Sequence, residues 1–187
     1  KKDGAAGIDI YIASTLIGYD KEVLEYAGGF QSQVGSQSII VIDCTNKDDL
    51  PVTIHHEISH AIDRYISSKG GFNEQKWSEF NPEDKEFMDF YTYSYSEFGY
   101  EGAIKYTYYG CKSLDDVYFI DDYSMTYPAE DRARIWENIM SDSSIIEWEN
   151  TPNLILKINY YAMTIRENFD TSGWEDVVWE RYIPAEE

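Results

Sequence analysis

Residues 53–63 read Thr-Ile-His-His-Glu-Ile-Ser-His-Ala-Ile-Asp, and the His56-Glu57-x-x-His60 spacing inside them constrains the chain more than any other stretch. On an α-helix, side chains four residues apart stand one turn above each other, so His56 and His60 present their imidazoles to one point. Neutral imidazole is a good zinc ligand, and two imidazoles on one rigid helix lose little freedom on binding a common ion. Glu57 lies about a quarter-turn round, within reach of a water on such an ion without ligating it. The pattern therefore requires a helix. Asp48 or Asp49 can cap it, Pro51 fits its first turn, and Leu50, Ile54, Ile58, Ile62, Tyr65 and Ile66 form a core-facing stripe away from the two histidines. Asp63 falls on the ligand face, three residues past His60, where it is expected to orient an imidazole. His55 points away from the other two and reads as a surface or packing histidine.

At 187 residues the chain is expected to form one domain, 1–187, large enough to bury a core without staples. Its net charge of −20 argues against nucleic acid as a partner, because that needs a basic footprint. No apolar run approaches the 18–20 or so residues of a membrane span. The chain begins at Lys1, so a leader removed from a secreted or cell-surface protein is expected, and with it an extracellular location. Cys44 and Cys111 are spaced unlike a metal knuckle and could pair after export.

Taken in order, Gly7–Ala13 alternates like a strand, with Ile8, Ile10 and Ile12 on one face. Asp20 is expected to cap a helix from Lys21 to Ala27, ended by Gly28-Gly29, and Gln31–Ser36 a loop. Ser38–Asp43 is the strongest strand, with an apolar run suited to a strand covered on both faces or to an edge beside a cleft. Segment 70–120 reads as an aromatic-rich insertion, with a short helix from Pro82 to Phe90 and a short strand over Val117–Ile120. Its tyrosines form either a packed subdomain or a wall of the groove. In 121–187, helices are expected from a Thr126 cap to Met140, over Pro152–Glu167, and over Trp174–Tyr182. The order indicates an α+β fold.

A catalytic zinc generally takes three protein ligands and leaves one position for water. Position 66 is Ile, which excludes a third histidine six residues past His60, so Asp, Glu or Cys must supply the third ligand. With 35 acidic residues, composition does not choose among them. His56-Glu57-x-x-His60-Ala61-x-Asp63, followed by Tyr123-x-x-Thr126-x-x-x-Glu130-x-x-Ala133, resembles the gluzincin zinc metallopeptidases related to anthrax lethal factor and the clostridial Pro-Pro endopeptidases. The resemblance covers the two motifs and the Ile39–Ile42 strand. It implies a zincin-like domain, Zn2+ as cofactor, one ion per chain, Glu130 as the third metal ligand, and Tyr123 as a hydroxyl donor to the reacting carbonyl. The segment between the motifs is longer than in those proteins, and Arg134 stands where they often carry an acidic residue. The expected function is a zinc-dependent endopeptidase acting on peptide or protein substrates, with Glu57 as general base. The alternative is an inactive zinc-binding or interaction domain that retains the site.

Overall fold

The computed structural model describes residues 7–14, 16–20, 23–26, 28–45, 47–83, 104–141, 146–174 and 177–182. The chain is a small α+β fold: a three-stranded sheet, a two-stranded hairpin and a set of helices. The strands are β1 (Ile8–Ala13), β2 (Ile17–Asp20), β3 (Val23–Tyr26), β4 (Gly29–Val34) and β5 (Gln37–Asp43). The α-helices are α1 (Leu50–Ser68), α2 (Glu74–Ser78), α3 (Pro128–Met140) and α4 (Pro152–Asn168).

The apolar run of β5 is central rather than at an edge: the sheet order is β1-β5-β4, with β1 parallel and β4 antiparallel to it. Ser38, Ile40 and Ile42 are buried, while Ile39 and Val41 on the opposite face are only half-buried. One face is therefore well covered, by Leu50, Ile54, Ile58 and Ala61 of α1. The same helix turns Ile62, Tyr65 and Ile66 into the main core with α3 and α4, so its apolar stripe serves two neighbours.

The stretch before the sheet differs from expectation. The described part of the expected Lys21–Ala27 helix, Val23–Tyr26, is a strand instead: β2 and β3 pair as antiparallel strands, with Asp20 opposite Val23 and Ile17 opposite Tyr26. Seven residues are too few for a stable isolated helix, and Ile, Val and Tyr prefer a pleated surface. The expected loop from Gln31 is β4, joined to β5 by a two-residue turn in which Gly35 takes φ 63°. That positive φ suits the tight hairpin, whereas Gln31, Ser32 and Gln33 are weak strand formers by themselves.

The expected helix ending at Met140 is present, but its cap is Tyr127; the Thr126 hydroxyl instead donates to the Tyr123 carbonyl at 2.7 Å. The Pro152 helix is present as α4. Trp174–Tyr182 narrows to a 3-10 turn over Val178–Tyr182 that buries Trp179. Val117–Ile120 is no strand: it makes one bridge, Thr107 with Phe119. The described ends of the 70–120 segment enter the common core through Trp77, Val117 and Ile120. The short helix expected from Pro82 and most of the aromatic stretch, residues 84–103, lie outside the described residues. Cys44 and Cys111 are free thiols. No helix among the described residues is long and apolar enough to cross a membrane.

Candidate metal centre

α1 places His56 and His60 one turn apart, and α3, packed across it, delivers Glu130 from its first turn. His56 Nε2 lies 3.1 Å from His60 Nε2 and 3.1 Å from Glu130 Oε2, and the third side, His60 Nε2 to Glu130 Oε2, is 3.4 Å. An ion with tetrahedral bonds of about 2.0–2.1 Å spaces its ligand atoms about 3.3–3.4 Å apart. The triangle thus fits one face of a zinc coordination shell, and these three residues could hold a metal.

The tautomer of His56 agrees with that. Its Nδ1 lies 2.8 Å from Glu137 Oε2, and since a carboxylate only accepts, Nδ1 carries the proton and Nε2 presents its lone pair to the triangle. Three acceptors pointed at one another need a cation or a proton among them. Burial disfavours the charged imidazole, but hydrogen bonds with Glu130 and Glu137 outweigh it and raise His56 to about 9. Glu130 shows the other half of the contact: burial alone would raise it, but the two histidines hold it far below the usual carboxylate range. His55, by contrast, sits half-buried outside the triangle, and burial pushes it down.

Glu137 was not legible in the motif, yet it is the residue that orients an imidazole. Arg134 holds it in place, bonding both Glu137 and Asp121, the latter through Nε at 2.9 Å. Asp63, expected in that role, does something else: it forms a two-point ion pair with Arg132, at 2.6 and 2.8 Å, while Arg132 also grips Glu74 at 2.9 Å. The guanidinium's parallel donors match a carboxylate, so Asp63 locks α1 to α3 and α2 instead of touching His60. Between Glu130 and Arg132, Asp131 accepts from Lys157 at 2.7 Å and Trp77 Nε1 at 3.1 Å, which ties the same turn of α3 to α4 and α2. Three consecutive residues therefore face three different ways: ligand, α4 clamp, α1 clamp.

The triangle opens on a cleft of about 630 Å³, lined by β4 (Gly29, Phe30, Gln31), α1, Tyr123, Tyr127 and the start of α3. Glu57 is 5% exposed, and its Oε2 has no hydrogen-bond partner among the protein atoms. Burial pushes its carboxyl up, opposed by His56 and His60. A carboxylate so placed is a proton acceptor awaiting a donor. Gly29 makes room for it, since a Cβ there would stand 3.0 Å from both Cγ and Oε1 of Glu57. Tyr123 begins a 3-10 turn whose amide is capped by Asp122 at 3.1 Å, and its ring lies 6.1 Å from that of His56. Burial raises the phenol, and the charge and hydrogen bond of Glu130 raise it further, so it stays a donor at any physiological pH. His56, His60, Glu57, Tyr123 and Glu130 all line the one cleft. No model of a known protein family, no curated protein and no solved structure matches the chain.

Proposed function

We propose that this protein is a zinc-dependent endopeptidase of gluzincin type, with His56, His60 and Glu130 as metal ligands. The observation that carries the reading is the triangle of two imidazole nitrogens and one carboxylate oxygen, at zinc-ligand separations, with the buried, unpartnered Oε2 of Glu57 in the same cleft. A zinc ion there would lower the pKa of its water toward 7 and polarise the carbonyl of the bond to be cut. Glu57 takes the proton of the attacking water and passes it to the departing amine, a role suited to a buried carboxylate of raised basicity. Tyr123 donates its hydroxyl proton in a hydrogen bond to the oxyanion, an interaction stronger in the transition state than in the bound substrate. The edge of β4, which pairs with no further strand among the described residues and lines the cleft, suits an extended main chain.

An inactive binding domain would need only the three ligands. It would have no use for a desolvated acid beside them, so Glu57 favours the enzyme. Metal analysis of purified protein is expected to return about one zinc per chain, and a His56→Ala/His60→Ala variant none. Full occupancy in that variant would overturn the site. A diverse peptide library, incubated with and without chelator, is expected to show cleavage only without it. No cleavage by zinc-loaded protein would overturn the activity while leaving the metal site standing.

A further inference from the structure

Arg64 follows His60 by four residues and His56 by eight, so it stands on the same face of α1, one turn beyond the ligands. It is exposed and lines the cleft, together with Asp63 and Ser67 of α1 and Gln31 of β4. Its side chain makes no hydrogen bond or ion pair with any described residue. That is unusual in a chain with 35 acidic and 15 basic residues. The other cation lining the cleft, Arg132, is 1% exposed and fully engaged by Asp63 and Glu74. Those same bonds occupy the carboxylates of Asp63 and Glu74, which also line the cleft. Arg64 is thereby left with an unfilled five-donor fork facing the path a substrate would take.

We propose that Arg64 is a specificity-determining residue, which selects peptides carrying a carboxylate a few residues to one side of the bond cut. The inference rests on the peptidase reading of the same cleft. Four residues along α1 advance about 6 Å, and an extended peptide advances about 3.3 Å per residue. Allowing for the reach of the arginine, the partner carboxylate falls roughly two to four residues from the metal centre. The chain's net charge of −20 works against an acidic peptide at long range, but such repulsion is screened beyond about 8–10 Å. At contact distance the local guanidinium decides. The carboxylate comes either from an Asp or Glu side chain or from a free C-terminus, and both fit the same fork.

The test measures binding and cleavage separately. Fluorescent peptides carrying Glu, Gln or Lys at each of the four positions on either side of one bond, each with a free or an amidated C-terminus, are titrated into zinc-loaded protein by anisotropy. The same set is assayed for hydrolysis. At one or two adjacent positions, Glu is expected to bind roughly 3- to 10-fold more tightly than Gln. Arg64→Gln should level the two, Arg64→Lys should restore part of the difference, and Arg64→Glu should reverse it in favour of Lys. A preference that follows the Glu position and ignores amidation assigns the side chain as the source. One that vanishes on amidation assigns the C-terminus. The same Glu-to-Gln ratio in wild type and Arg64→Gln, or no binding of either peptide, overturns the proposal. Selective binding without hydrolysis would keep Arg64's role and reject the peptidase activity; hydrolysis without selectivity would do the reverse.

Discussion

Glu57 and Tyr123 flank the ligand triangle, and neither is needed to hold a metal. Their substitutions should therefore fail differently from those of the ligands. Glu57→Gln keeps the shape of the side chain in its close fit against Gly29 but removes the basic carboxylate. Zinc content is expected to stay at one per chain while turnover falls about 10²–10⁴-fold, measured by metal analysis beside steady-state kinetics. Tyr123→Phe keeps the ring near His56 and removes one donor. There kcat is expected to fall about 10–10³-fold with KM nearly unchanged, because the hydroxyl acts on charge that develops only in the transition state. Loss of zinc from either variant, or undiminished turnover, would contradict these roles. At this scale the grouping of the side chains is largely readable. His56, Glu57 and His60 are related by helical spacing alone, so no tertiary information is needed to group them. Asp63 sits at an equally suggestive spacing and was misread, because its partner Arg132 is 69 positions away and outcompetes an imidazole for a carboxylate.

Among the elements, long amphipathic helices with a proline in the first turn were legible: α1, α3 and α4 all start at or beside Pro51, Pro128 or Pro152. Short elements set by their neighbours were not. β4 is a strand because β5 offers it a partner across the Gly35 turn, and its own Gln-Ser-Gln run says little. The same limit hid Glu137, whose meaning depends on how α3 crosses α1. It lies seven residues past Glu130, two turns along the helix, and so faces the same imidazole from its other nitrogen. Glu137→Gln retains an acceptor oxygen but loses the charge that makes His56 a stronger base, and it releases Arg134. Zinc affinity is expected to drop about 10–100-fold, read by competition with a chromophoric chelator, with helicity unchanged by circular dichroism. Unaltered affinity would mean that the 2.8 Å contact does not tune the ligand.

In the whole molecule, the ligand triangle joins α1 to α3, beside the Asp63–Arg132 ion pair that joins the same two helices. A metal bound there would therefore staple two halves of the chain, the sheet with its helix and the helical remainder. A metal present at about 100 times its dissociation constant adds about 2.7 kcal/mol. In a chain of this size that raises Tm by roughly 5–10 °C. Without metal, a proton on His56 is the cation of the triangle. Since this histidine is raised from 6.5 to about 9, the stabilisation it brings is fully present below pH 6.5 and is lost as pH climbs through 9. The shift corresponds to about 3 kcal/mol. His55 acts in the opposite sense: burial lowers it, so its contribution falls on the acid side of 6.5. Burial also lowers Lys157, which opposes the alkaline decline equally in wild type and His56→Gln, so the comparison of the two isolates His56. Metal needs the imidazole lone pair, so loading displaces the proton and removes this dependence. Melting curves at pH 6, 7, 8 and 9 are thus expected to diverge. Chelated protein should lose stability steadily across the range, zinc-loaded protein should not, and chelated His56→Gln should lack the decline. Parallel curves for chelated and loaded protein would show that no cation, proton or metal, is held between these helices.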